Sequence, residues 1–391
     1  MKTTTKQGIC YGLFMAMQLL LCWSLYGDLR GSSEFAAPMD HHKYLFMSDQ
    51  SIGSFHIAPF CWRIATPFLV HCLPGDDHFS SFLIINSIFL VATAVIIGLV
   101  VYDQTTSSAW AWVGVLVYSS LGWITRGFMF YGASVDPLAI LLGLVVAVAL
   151  RRKSFSMALG AALVGAFAKD SIMISVVVAM LLFGQHLKMR QVLILSGVPF
   201  IVLIGLRLII PALNTDASYI NALSSSVTLV QNGTSEYGVQ YLLYTFVPQR
   251  IASFTLADLN ALFFDSYGLA LAGLTVVILI SNLRRGLLLV GALVLTWGQV
   301  LFAVNIQRPV LLVAPVYIIF ALGEVGALQP KFKVHLQCFG AILSVLLALV
   351  TVITSRLSPS IFTQSGAVVV SIAMFIFLHS TWGHTWFRNR T

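Results

Sequence analysis

Charge is scarce in this chain. Of 391 residues only 9% are Asp, Glu, Lys or Arg, against about 25% in ordinary soluble domains. With 58% hydrophobic residues and a mean hydropathy of +0.91, that shortage excludes a soluble globular fold, whose core never needs so much apolar surface. Cysteine is sparse as well. Cys10, Cys22, Cys61, Cys72 and Cys338 form no C-x-x-C pair, so no metal or redox motif of that kind is present. No repeat of fixed period and no soluble segment interrupts the pattern. The lack of a visible inverted repeat disfavours the common transporter architectures. Acids are the rarer charge, and the net charge is +8. The bases are nevertheless dispersed at the ends of apolar runs rather than gathered for phosphate backbones, which excludes nucleic acid as a partner.

What is abundant is apolar sequence cut into runs of membrane-spanning length. Twelve spans are expected, at about 9–27, 81–102, 109–126, 136–150, 155–169, 171–185, 191–213, 259–282, 286–304, 309–326, 335–354 and 361–380. The fold class is therefore all-α: a polytopic transmembrane helical bundle forming one integral membrane domain over 1–391. The first run follows Lys2 and Lys6 but lacks a small-x-small cleavage site, so it reads as an uncleaved helix. The fifth and sixth spans are short and meet at Lys169-Asp170, as a tight or partly re-entrant hairpin.

Loop charge gives the orientation. One side collects thirteen bases against Asp103 and Glu324, and the other nine bases against twelve acids. By the positive-inside rule the first side, with both termini, is cytoplasmic. Two long loops then face outward, 27–80 and 214–258, and long loops of this kind are usually functional. Short apolar stretches in the first, such as Phe60–Val70, read as helices on the membrane surface. Cys61 and Cys72 share that loop, and a disulfide and two free thiols are both open readings. Asn232-Gly233-Thr234 in the second is a glycosylation sequon.

Ionisable groups kept at a bilayer are expensive, and most here lie at the expected external rim. The first loop holds Asp28, Glu34, Asp40, Asp49, Asp76 and Asp77, with His41, His42, His56, His71 and His78. Carboxylate and imidazole together suit a general base or a divalent metal. Asp40-His41-His42 is the densest cluster, but adjacent histidines on a helix diverge by about 100° and are weak joint ligands. Metal dependence stays open. In Ala58-Pro59-Phe60-Cys61-Trp62-Arg63-Ile64-Ala65-Thr66-Pro67 a single guanidinium stands among aromatics and prolines. Its fork suits phosphate oxygens, although interfacial anchoring by Trp62 and Arg63 is the plainer reading. Arg126 follows the third span. Asp136-Pro137 opens the fourth, where helix capping alone explains both residues. Lys169-Asp170 reads equally as a local ion pair. Arg308-Pro309 opens the tenth span, where a cation opposes the helix dipole, and that conflict marks Arg308 as functional.

These segments, in this order, resemble the polytopic C-type glycosyltransferases that use polyprenyl-phosphate-linked sugars. Asp40-His41-His42-Lys43-Tyr44 looks like the family's D-x-x-x-Y element. Pro59-Phe60-Cys61-Trp62-Arg63-Ile64-Ala65-Thr66-Pro67 looks like its P-F-x-[YW]-R-x-x-x-P segment. Asp136-Pro137, Lys169-Asp170 and Arg308 with Pro315 are similar to its later elements, except that the family's Lys-Glu pair is Lys-Asp here. The resemblance implies an inverting sugar transfer at the non-cytoplasmic face of a bacterial inner (plasma) membrane, to a glycan, lipid or protein acceptor. It implies Asp40 as general base, with Asp28 and Asp49 as substitutes. Arg63, Lys169 and Arg308 would balance the departing lipid phosphate. Tyr44 and Trp62 would face the sugar, with Arg126, Asp136 and Asp170 nearby. A lipid-linked polysaccharide polymerase needs paired arginines in a large external loop, and 214–258 holds only Arg250. A transporter or flippase needs charge at mid-membrane, which the spans have little of. A non-catalytic assembly subunit is the remaining alternative.

Overall fold

Backbone polar groups in hydrocarbon must find partners within their own segment, which favours helices wherever apolar runs are long. A computed structural model describes residues 2–26, 40–49, 55, 60–121, 124, 128, 132–210, 247–255, 268–299 and 307–327, and among these every regular element is helical. They are α1 (Lys2–Tyr26), α2 (Asp40–Asp49), a 3-10 turn (Phe60–Trp62), α3 (Ala65–His71), α4 (His78–Thr105), α5 (Ser108–Ser120), α6 (Asp136–Arg151), α7 (Phe155–Ala168), α8 (Ile172–Phe183), α9 (Met189–Ile209), α10 (Val247–Ser253), α11 (Gly268–Ser281), α12 (Leu283–Gly298) and α13 (Gln307–Ala327).

Helices stand where ten of the expected spans were drawn, but the count of twelve spans is not what the described residues show. Three of their helices are long and apolar enough to cross a membrane: α4, α9 and Val310–Ala327 of α13. For α7 and α8 the reason is length. At 1.5 Å per residue, the 12 residues of α8 cover about 18 Å, well short of a hydrocarbon core of roughly 30 Å. α7, with 14 residues, is little longer. The expected spans 335–354 and 361–380, most of the 214–258 loop and its Asn232 sequon lie outside the described residues.

α4 is the central post. Asp77 caps it, its carboxylate accepting from the backbone N–H of Ser80 at 3.1 Å and from the Ser80 hydroxyl at 2.7 Å. α1 runs antiparallel along it, with the Tyr11 ring seated on Gly98. α6 runs parallel to it. At one end the Asn86 amide donates to the carbonyls of Gly132 (2.7 Å) and Ser134 (3.0 Å). At the other, Arg151 meets Asp103 at 2.8 Å. α6 also lies against α8, where Gly143 faces Ser175. α12 and α13 pair antiparallel. Their buried Thr296 and Tyr317 hydroxyls bond each other, and Tyr317 donates to the Ala292 carbonyl.

The first loop does more than lie on a membrane surface. Tyr44, Met47, Phe55, Phe60, Cys61 and Val70 pack with Phe82, Ile85, Ala133 and Val135 into a second small core over one end of the bundle. α3 still presents Phe68 and Leu69 outward, and Leu73 just beyond it is exposed too. Two histidines tie α2 down: His71 Nδ1 lies 2.8 Å from the Ser48 carbonyl oxygen, and His78 Nε2 lies 3.6 Å from Asp49.

Close helix approach depends on missing side chains, as in other membrane-type packing. A Cβ on Gly143 would sit 2.8 Å from the Ser175 Cβ, whereas one on Gly160 meets nothing within 4 Å. Gly143→Leu should therefore destabilise the protein by roughly 1–3 kcal/mol or more, and Gly160→Leu should not. Thermal unfolding of both variants in detergent measures the difference; equal melting temperatures would contradict this packing.

Candidate functional site

Four separate stretches of chain bring charge to one end of the bundle. They are the first loop, the start of α6, the α7–α8 junction and the last turn of α9. The junction is where the sequence runs out of apolar residues: α7 ends at Ala168, Lys169 takes an extended backbone, and α8 begins at Ile172. Pro137 in the first turn of α6 sets the helix start without needing an N–H, and no side chain caps it.

The Lys169 ammonium is bonded to the Asp136 carboxylate. Asp136 is 1% exposed and Lys169 8%, so this is a buried ion pair between α6 and the α7–α8 junction. It replaces both simpler sequence readings, a capping role for Asp136 and a pairing of Lys169 with its neighbour Asp170. Asp170 instead receives Arg63 Nη2 at 3.3 Å on Oδ1 and the Ser171 N–H at 3.1 Å. Arg207 Nη2, from the last turn of α9, stands 3.9 Å from its Oδ2. Arg63 also donates from Nη1 to the Tyr44 hydroxyl at 2.9 Å. Tyr44, fully buried, packs edge-on against Phe60, and the Arg63 guanidinium and the Lys43 ammonium lie over that same ring at 5.7 and 4.5 Å. Trp62 donates from Nε1 to the Ile210 carbonyl at 3.0 Å, and Arg207 lies over its ring at 4.9 Å. Trp62 thus ties the first loop to the end of α9.

Burial disfavours the charged form of Asp170, but Arg63, Lys169 and Arg207 around it outweigh that effect and hold its pKa below the ordinary 3.8. Burial pushes the Cys61 thiol up to about 12, so it stays protonated and unreactive at neutral pH. Cys61 and Cys72 are both free thiols, which leaves no disulfide between them.

Six residues singled out from sequence therefore meet: Tyr44, Trp62, Arg63, Asp136, Lys169 and Asp170. Others do not join them. Asp49 ends α2, exposed and turned to His78. The rings of His41 and His42 lie against each other, centroids 4.3 Å apart and tilted by 40°. Among the described residues no three His, Cys, Asp or Glu side chains are grouped to hold a metal. Asp40 opens α2, one turn ahead of Tyr44, and Arg308 lies in the first turn of α13; their side chains lie outside the described residues, as do Asp28 and Arg126 altogether. Arg207 was missed. Its signal was present, since it is the sole charged residue between Arg190 and Asp216 and sits at a helix C-terminus, where a cation is favoured.

These features define a class: an all-helical protein with helices suited to crossing a membrane and a polar cluster at one end. Comparison of the sequence with protein-family models and with curated proteins gives no match.

Two outcomes check the electrostatics. A depressed carboxylate pKa stabilises the fold above the unfolded value and loses that contribution as pH falls through the folded value. The melting-temperature gap between the wild type and Asp170→Asn should therefore be open at pH 6 and shrink below about pH 4; a constant gap would refute the ionised role. Lys169→Met strands a buried carboxylate and should cost roughly 3–5 kcal/mol, much of it recovered in Lys169→Met/Asp136→Leu. Denaturation of the single and double variants tests that recovery, and its absence would remove the pair from the structure.

Proposed function

We propose that the protein is an inverting membrane glycosyltransferase, which moves a sugar from a polyprenyl-phosphate donor to a glycan, lipid or protein acceptor on the non-cytoplasmic side. The observation that carries this reading is the convergence of Arg63, Tyr44, Asp170, Lys169 and Asp136 at one end of an apolar helical bundle. A lipid-linked phosphate needs both surroundings at once: hydrocarbon for its chain, and fixed cations at the headgroup.

In this reading the lipid phosphate is the leaving group. Arg63 offers a planar donor fork, mostly buried beside Phe60 and Tyr44, to the negative charge that grows as the sugar–phosphate bond breaks. Lys169 acts through its pair with Asp136 and keeps the junction in place. Asp40, one turn ahead of Tyr44 in α2, takes the proton from the acceptor hydroxyl. Arg308 adds a further cation from the start of α13. The orientation with both termini cytoplasmic belongs to the same proposal. Charge sorting along the bundle supports it: among the described residues Arg151 pairs with Asp103 and Arg285 with Glu324, and all four are assigned to the cytoplasmic side.

The test is incubation of the purified protein with a panel of polyprenyl-phosphate sugars. Sugar transfer or release is expected with at least one donor. Arg63→Gln should lower kcat about 10²–10³-fold, and Asp40→Asn about 10²–10⁴-fold, with expression unchanged. A folded wild type inert toward every donor, or a fully active Asp40→Asn, overturns the reading or its base.

A further inference from the structure

We infer that Arg63 and Arg207 form a two-pronged site for a phosphate-bearing anion, in which Asp170 is a resident counter-ion that the ligand displaces. This deepens the donor-binding part of the proposed function and rests on it for taking the anion to be a phosphate.

The carboxylate of Asp170 lies between two guanidinium groups from distant parts of the chain. One contact is close, Arg63 Nη2 at 3.3 Å on Oδ1. The other is loose, Arg207 Nη2 at 3.9 Å on Oδ2. Each oxygen faces one arginine, the pattern in which two oxygens of a phosphate would be gripped by two forks. Asp136 is bonded to Lys169, so Asp170 is the carboxylate on which both guanidinium groups converge. A phosphate carries more charge and more acceptor oxygens than the carboxylate it would replace. Asp170 is reachable, with 35% of its side chain exposed, and it keeps the Ser171 N–H when the arginines leave it.

Arg207 is built to meet a ligand rather than to hold the fold. Half of its side chain is exposed. Its guanidinium lies over the Trp62 ring at 4.9 Å, a contact that needs no hydrogen-bond acceptor. Trp62 is itself fixed by its bond to the Ile210 carbonyl, so adjacent residues, Trp62 and Arg63, position both prongs. Ile204 and Leu208, on either side of Arg207 along α9, are exposed and apolar. That flank suits a phosphate attached to an alkyl chain better than a free one.

The full chain, purified in a nonionic detergent, should be melted with increasing dodecyl phosphate and, separately, with inorganic phosphate. Dodecyl phosphate should give saturable stabilisation. Arg207→Gln should weaken it about tenfold or more, the loss of one charged hydrogen-bonding partner. Asp170→Asn, which removes the competing anion, should strengthen it several-fold, each shift being read against the variant's own unliganded melting. Equal potency of inorganic phosphate keeps the site and assigns it to free phosphate. No saturable effect of either probe on the wild type, wild-type binding by Arg207→Gln, or weaker binding by a folded Asp170→Asn overturns the inference. If Asp170→Asn does not elute as a monodisperse species, Arg207→Gln and its charge-keeping control Arg207→Lys decide alone. Phosphate binding without sugar turnover on any donor keeps this site and rejects the transferase reading; turnover without phosphate binding does the reverse.

Discussion

Two buried opposite charges, Lys169 and Asp136, lock the α7–α8 junction onto the start of α6, and the geometry of the polar end follows from that contact. Neither charge tolerates burial alone, so each fixes the other's helix end. With Lys169 committed to Asp136, its neighbour Asp170 is turned outward to Arg63 and Arg207. One ion pair therefore decides which carboxylate is buried with Lys169 and which faces the two arginines.

The first loop is the second constraint. Its aromatic and apolar residues pack over the N-terminal ends of α4 and α6 as a small core of their own. That packing delivers Arg63 to the polar cluster and shields it with Phe60 and Tyr44. The loop and α9 are then joined through Trp62 and Ile210. The polar end is thus assembled from a folded cap and a helical bundle, with two guanidinium groups converging on one carboxylate. Guanidinium forks beside apolar helices suit a lipid-linked phosphate better than a neutral solute, and on that the proposed transferase chemistry stands.

Much of this was legible in the residues. Apolar run length located the helices, because hydrocarbon and helix hydrogen bonding impose the same pattern. Short runs and Lys169-Asp170 marked the α7–α8 hairpin. Tyr44, Trp62, Arg63, Asp136, Lys169 and Asp170 stood out because charge and aromatics are costly or purposeful at an apolar boundary. The pairing was not legible. Lys169 reaches 33 positions back to Asp136 and Arg63 reaches 107 positions forward to Asp170, and no local spacing rule carries such distances.

The sequence by itself determined that the chain is helical and apolar, and which few ionisable groups needed a reason to be there. Composition and run length are local properties, and solvent acts on them locally. Tertiary structure alone decided that the chain between Phe155 and Phe183 breaks at Lys169 into two helices of 14 and 12 residues. It alone decided that Asp136 is buried with Lys169, and that Arg207 completes a bridge begun by Arg63. Those outcomes depend on which helix ends meet in space, and that is set by the packing of the whole bundle rather than by any one segment.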